Sequence, residues 1–175
     1  HAGPEPLGQP GAGRHEDGGT GRDHGEQDQA LKLRLERALF QPNSPFEKAV
    51  FLDYRSTSSI REYAASKNLK EIAQRGTVTP DHVIRIKPWP MIIEADADDV
   101  TIREALDAYA DRYKSYFERN AARQSEPKQI LDVYPRVIIV RHKGMYAVGS
   151  TPEIAAIVLK AVRGYPDSTP RKAEV

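Results

Sequence analysis

A mixed α/β fold, with a small sheet held between layers of helices (a layered α/β/α arrangement), is the architecture this sequence predicts. Val137-Ile138-Ile139-Val140 is a continuous apolar run, which calls for a strand covered on both faces. Apolar residues at helical spacing lie on either side of it, at Leu31 to Leu39, Ile102 to Phe117 and Ile154 to Val162. Short extended segments separate these helices, and no internal repeat is evident. The sheet they imply is too small to stand comfortably alone.

Taken in order, Leu31, Leu35, Ala38 and Leu39 form the first amphipathic stripe, which Pro42 and Pro45 end. Ala49 to Tyr54 reads as a short buried strand. Ser59-Ile60-Arg61-Glu62 has the form of a capping box, and Asn68-Leu69-Lys70-Glu71 repeats it for a helix that stops at Gly76. Val83-Ile84-Arg85-Ile86 reads as a strand, demoted by Pro88 and Pro90 to an edge or a kinked crossing. Met91-Ile92-Ile93 resumes extended structure. A third capping box, Thr101 to Glu104, opens the longest helix. Its apolar face runs through Ile102, Ala105, Leu106, Tyr109, Tyr113, Tyr116 and Phe117. Such an aromatic stripe is core more often than a stacking platform. After Val137–Val140, Arg141 to Gly144 makes a turn and Met145 to Val148 returns. Thr151 as N-cap and Pro152 at the first helical position open the last helix, with Ile154, Ile157, Val158, Ala161 and Val162 as its buried stripe. Gly164 and Pro166 close it.

Residues 1–28 are of another kind. They hold eight of the chain's 12 glycines, and Leu7 is their only large apolar side chain. Such text cannot bury enough surface to offset its ordering entropy and is expected to be disordered. It reads either as a flexible linker or as what an out-of-frame stretch of GC-rich DNA would encode; the first residue is His1, not Met. One domain is expected over 29–165, followed by a disordered tail over 166–175.

Composition narrows the function. The 26 basic and 25 acidic side chains give a formal charge of +1, without the concentrated basic surface of a nucleic-acid binder. Cysteine is absent, which removes disulfides and thiolate metal sites. No stretch approaches the roughly 18 apolar residues of a membrane span, and no secretory signal opens the chain, so a cytoplasmic location and no membrane partner are expected.

Two passages carry a family likeness. Arg75-Gly76-Thr77-Val78-Thr79-Pro80-Asp81-His82-Val83-Ile84-Arg85-Ile86-Lys87 resembles a signature of the class II aldolase/adducin family. The likeness is to the aldolase module of bifunctional rhamnulose-phosphate aldolase/alcohol dehydrogenases. Pro135 to Val140, followed by Gly144 to Gly149, resembles the hairpin that closes the same module. Tyr113 to Phe117 fits its tyrosine-rich helix. The resemblance covers approximately 30–164 and implies a trailing part of a class II aldolase-like module. It implies zinc held by three histidines, which stabilises the enediolate formed as a sugar phosphate is cleaved. It also implies a short-chain dehydrogenase domain with NAD that processes the aldehyde product.

The family's His-x-His pair and Asn-His-Gly turn are not found in this sequence. Arg141-His142-Lys143-Gly144 imitates the latter, but His142 matches a glycine in the register of the hairpin and reads as a solvent-facing turn residue. Only His82 and His142 lie in the part expected to fold, whereas catalytic zinc takes three protein ligands and an open position. A Gly-x-Gly-x-x-Gly loop is absent as well. No metal or cofactor is therefore expected on these residues, and catalysis by the chain alone is not. Asp81, His82, Arg85 and Lys87 remain as substrate-facing candidates. A carboxylate beside a histidine sets its tautomer, and Arg or Lys suits phosphate. The competing structural reading has Thr79 and Pro80 starting a helical turn that Asp81 helps cap, with His82 packing locally. Three functions follow as expectations. The chain is a truncated, non-catalytic aldolase-module remnant; or a subunit that completes a zinc aldolase with a separate N-terminal half; or a non-enzymatic, adducin-like binding module. A complementary half, a second copy and a sugar phosphate are the partners these readings imply.

Overall fold

The computed structural model describes residues 20–76 and 80–162, with side chains described for 26–76 and 83–161. In chain order the elements are helix α1 (Thr20–Leu39), strand β1 (Phe51–Arg55), α2 (Ser58–Ala65), α3 (Leu69–Ala73), α4 (Pro80–Ile86), β2 (Met91–Ile93), α5 (Asp99–Ala121), β3 (Val137–Val140), β4 (Gly144–Gly149) and α6 (Pro152–Val162). The strands form one sheet in the order β1-β4-β3-β2. β2 runs parallel to β3, and the two other pairings are antiparallel.

Alternation along the central strands sorts the core into two layers. Ile138 and Val140 of β3, with Tyr146 and Val148 of β4, point to the side covered by α1 and α5. There they meet Leu31, Leu35, Leu39, Ile102, Leu106 and Tyr109. Val137 and Ile139, with Met145 and Ala147, point the other way, toward Tyr63, Leu69, Ile72, Ile86 and Val158 from α2, α3, α4 and α6. This is the period-2 geometry of a strand with protein on both faces. The mixed, layered α/β architecture read from the sequence is the one observed.

Several local expectations are corrected. Val83 to Ile86 lies in helix α4, not in a strand: Pro80 occupies the first helical position, where its fixed φ favours helix and its missing N–H is no loss. Ile86 is buried, while Ile84 is 74% exposed, so the run is one-sided in a helix. The strand expected over 49–54 is shifted to Phe51–Arg55 and is an edge strand, with only Leu52 buried. Two helices start earlier than their capping boxes suggest. Thr57 caps α2 by accepting from the Ile60 N–H, and Asp98 caps α5 by accepting from the Thr101 N–H at 2.8 Å. Helix α1 begins at Thr20, inside the segment expected to lack structure, because the Leu31–Leu39 stripe anchors a helix that polar residues can extend. On α6, Thr151 caps as expected, its Oγ accepting from the Ile154 N–H at 3.2 Å. The buried stripe there is set by Ala155 and Val158, while Ile154 and Ile157 face outward.

The aromatic stripe of α5 is core. Tyr109 is buried, and Tyr113 and Tyr116 pack against the same cluster. The side chain of Ile138 is fully buried between its neighbours Met91 and Tyr146. Ile138→Ala is expected to lower the unfolding free energy by about 2–5 kcal/mol. Urea denaturation checks this, and a loss below about 1 kcal/mol would contradict a close-packed centre.

Candidate functional site

Of the four sequence candidates, Asp81, His82 and Arg85 lie on α4 and Lys87 directly follows it. Asp81 and His82 lie on this helix, and their side chains fall outside the described residues. Arg85 is exposed on its last turn. Lys87 is 4% exposed and turned into the molecule. Arg85 and Lys87 therefore do not share an environment.

Lys87 leaves the helix in a left-handed conformation, φ 65°, while its N–H still donates to the Val83 carbonyl at 3.0 Å. The following Pro88 disfavours a further helical residue, so the chain must turn there. A non-glycine residue in this region costs about 1–3 kcal/mol and persists only where its surroundings hold it. Here they do. The Nζ donates to the Asp132 carbonyl at 2.6 Å, lies 3.6 Å from the Asp132 carboxylate, and sits 4.0 Å from the centre of the Tyr113 ring.

Asp132 organises the segment that leads into β3. Its Oδ1 accepts from the Tyr134 N–H at 3.0 Å, and its Oδ2 accepts from Arg136 Nη2 at 2.5 Å. The Arg136 guanidinium lies 5.2 Å over Phe46, which meets Tyr134 edge-on at 5.8 Å. On the other side, Trp89 packs edge-on to Tyr116 at 5.3 Å and carries Arg112 at 3.9 Å from its ring centre. The Tyr109 hydroxyl donates to the Trp89 carbonyl at 3.1 Å. Among the described residues, Trp89 Nε1 and Arg136 Nη1 are buried without an acceptor.

The arrangement is a clamp. It fixes residues 132–136 against α5 and against the turn between α4 and β2. Burial pulls the Lys87 ammonium down to about 8, while Asp132 favours the charged form and Arg136 opposes it. Asp132 and Trp89 carry no site signal in the sequence, and Tyr113 and Arg136 stand there only inside the likenesses to the tyrosine-rich helix and the hairpin. The only local signal is a lysine followed by proline, since the Lys87–Asp132 contact joins residues 45 apart.

His142 occupies the β3–β4 turn at φ 61°, exposed, with its N–H donating to the Ala64 carbonyl at 3.2 Å. Among the described residues, no three His, Asp or Glu side chains converge as a metal site requires. The described residues therefore do not fit the family's zinc.

A family model described as "Aldolase class II, second domain" matches residues 26–163. The chain belongs to this class II aldolase family. It is also 29% identical, over 112 residues, to "Uncharacterized oxidoreductase YuxG" of Bacillus subtilis (strain 168). That match covers 60% of this chain and 16% of the relative, so the aldolase-family chain spans under a fifth of the curated protein it matches. No solved structure matches. Among the described residues, no helix is long and apolar enough to cross a membrane.

The clamp makes a pH prediction. Lys87 binds its proton less tightly in the folded chain, at about 8, than at its ordinary value of 10.5. The unfolded chain therefore holds more protons between these values, and stability from this group rises with pH across that window. The difference in unfolding free energy between the natural chain and Lys87→Met should grow from pH 8 to 10.5 and be flat below it. Urea titrations at stepped pH measure it; a difference independent of pH would refute a buried, proton-releasing Lys87. Tyr63 and Tyr146, both raised to about 12 by burial, are common to the two proteins and cancel.

Proposed function

We propose that this chain is the trailing portion of a class II aldolase-type module related to the rhamnulose-phosphate aldolase/dehydrogenase proteins, and that it is not catalytic alone. The match of the class II aldolase family model over 26–163 carries this reading. Two further observations favour it. The relative that shares 112 residues is described as an oxidoreductase, which suits a protein that joins an aldolase module to a dehydrogenase. The signature passage at 75–87 ends in a buried clamp, whose Lys87 holds 132–136 at the entry to β3.

In this reading the work is divided along α4. Lys87 is a positioning residue, because its ammonium is taken up by Asp132 and Tyr113. Asp81, His82 and Arg85 are the residues offered toward a sugar phosphate, with Arg85 placed at the surface to meet the phosphate oxygens. The zinc and its ligands belong to polypeptide beyond the described residues, and α4 contributes binding and positioning only. A cytoplasmic location accompanies the reading.

The test is a retro-aldol assay on rhamnulose 1-phosphate with added zinc, following release of dihydroxyacetone phosphate. The 175-residue chain is expected to give no turnover. A polypeptide that also carries a His-x-His portion should give it. In that longer protein Arg85→Ala should raise KM about tenfold or more, the worth of one charge-assisted hydrogen bond. Turnover by the chain alone would overturn the non-catalytic reading, and none in the longer protein would overturn the rhamnulose-phosphate aldolase reading.

A further inference from the structure

The 15 residues 122–136 join α5 to β3 without helix or strand, an uncommon length for a plain connection in a compact domain. Residues 122–129 are exposed, and Leu131 is 81% exposed. Gln124 still belongs to the end of α5, its N–H donating to the Ala121 carbonyl. Among the described residues, the backbone of 125–131 makes no hydrogen bond, and the ion pair there, Lys128 with Glu126, is internal to the segment. The next tethers are Asp132, which takes up Lys87 and Arg136, and Tyr134, which meets Phe46 edge-on. At Arg136 the sheet takes over, since its carbonyl accepts from the Val148 N–H at 2.8 Å.

These tethers hold at a cost. Two cations, Lys87 and Arg136, are drawn in against the single carboxylate of Asp132, and Arg136 Nη1 is buried without an acceptor. Water would relieve both. We propose that residues 125–134 form a strap that opens locally, between Gln124 and Pro135, while the sheet stays folded, and so gates Lys87 and Arg136. Segments with few buried apolar contacts and few backbone hydrogen bonds open at lower free energy than the core. The groups that face the Lys87 ammonium are Asp132 from the strap, Arg136 from the entry to β3 and Tyr113 from α5. With the strap closed, burial holds this ammonium at about 8; in water it returns toward its ordinary 10.5. Opening therefore takes up a proton between these values, and raising the pH across that window favours the closed strap. Burial raises Tyr113 from its ordinary 10.0, so below pH 9 this phenol is neutral with the strap open or closed.

Trace acylation of the full chain with an amine-reactive ester, located by peptide mass spectrometry, tests the strap. The rate at Lys87 relative to that at Lys114, whose side chain is 54% exposed, measures the open fraction, because a lysine 4% exposed reacts only once uncovered. The ratio is expected to lie well below one and to fall about tenfold between pH 7 and pH 9. It should hardly change with urea below the unfolding transition, whereas deuterium exchange at the Ile138 to Val140 amides should accelerate with urea, as global opening requires. Labelling of Lys87 with the same urea dependence as that exchange would overturn the proposal, since Lys87 would then be uncovered only when the whole domain unfolds. A ratio near one would also overturn it, because the strap would not be closed. So would a ratio that is constant with pH, because opening would then not release the buried charge.

Discussion

Every residue of β3 and β4 is buried, so neither strand has a side that water can serve. Each must have helix above and helix below, and that requirement sets the positions of the remaining elements. The layer under Ile138, Val140, Tyr146 and Val148 is made of long helices, α1 and α5, which bring leucines and tyrosines. The layer over Val137, Ile139, Met145 and Ala147 is made of shorter ones, and its side chains are smaller. β1 and β2, at the two edges, are less demanding and accordingly short or half-exposed. Gly144 matters here because a Cβ at this position would strike the Arg55 carbonyl and the Tyr54 hydroxyl, where β1 comes closest to β4.

The clamp at Lys87 differs in kind from the ion pairs on the surface. Arg37 and Asp99 meet at 3.1 Å with their side chains 69% and 64% exposed, a setting in which water and salt leave little net gain. Lys87 and Asp132 are 5% and 13% exposed, so each would be costly to bury without the other. Such a pair specifies more than it stabilises. It ties Asp132, just ahead of β3, to the turn after α4 and to the Tyr113 ring of α5.

Much of the layered architecture is legible in the sequence because it depends on patterns within single segments. The four-residue apolar run at 137–140, the α1 stripe and the Thr151-Pro152 start of α6 each state their structure locally. Val83 to Ile86 misleads because β-branched residues favour a strand by propensity, whereas Pro80 and the burial of Ile86 alone favour a helix. The caps at Thr57 and Asp98 escape a local reading because several residues near each start could serve, and tertiary packing selects among them. The outward position of Ile154 and Ile157 is equally hidden, since apolar character on α6 does not reveal which side meets the sheet. The candidate site is the least legible part. Its partners, Lys87 with Asp132 and Tyr113, come from three separate segments that only the fold brings together.

The register of the sheet also governs the order in which it can assemble. β3 and β4 are joined by a short turn at Arg141 to Lys143 and can zip together from local contacts. β1 must pair with β4 across most of the described chain, Phe51 against Gly149, and gains little until the intervening helices are gathered. The hairpin is therefore the natural nucleus, and β1 is the last strand to dock. Its backbone amides should be the first of the sheet to exchange with deuterium, while those of Ile138 to Val140 should be held until the whole domain opens.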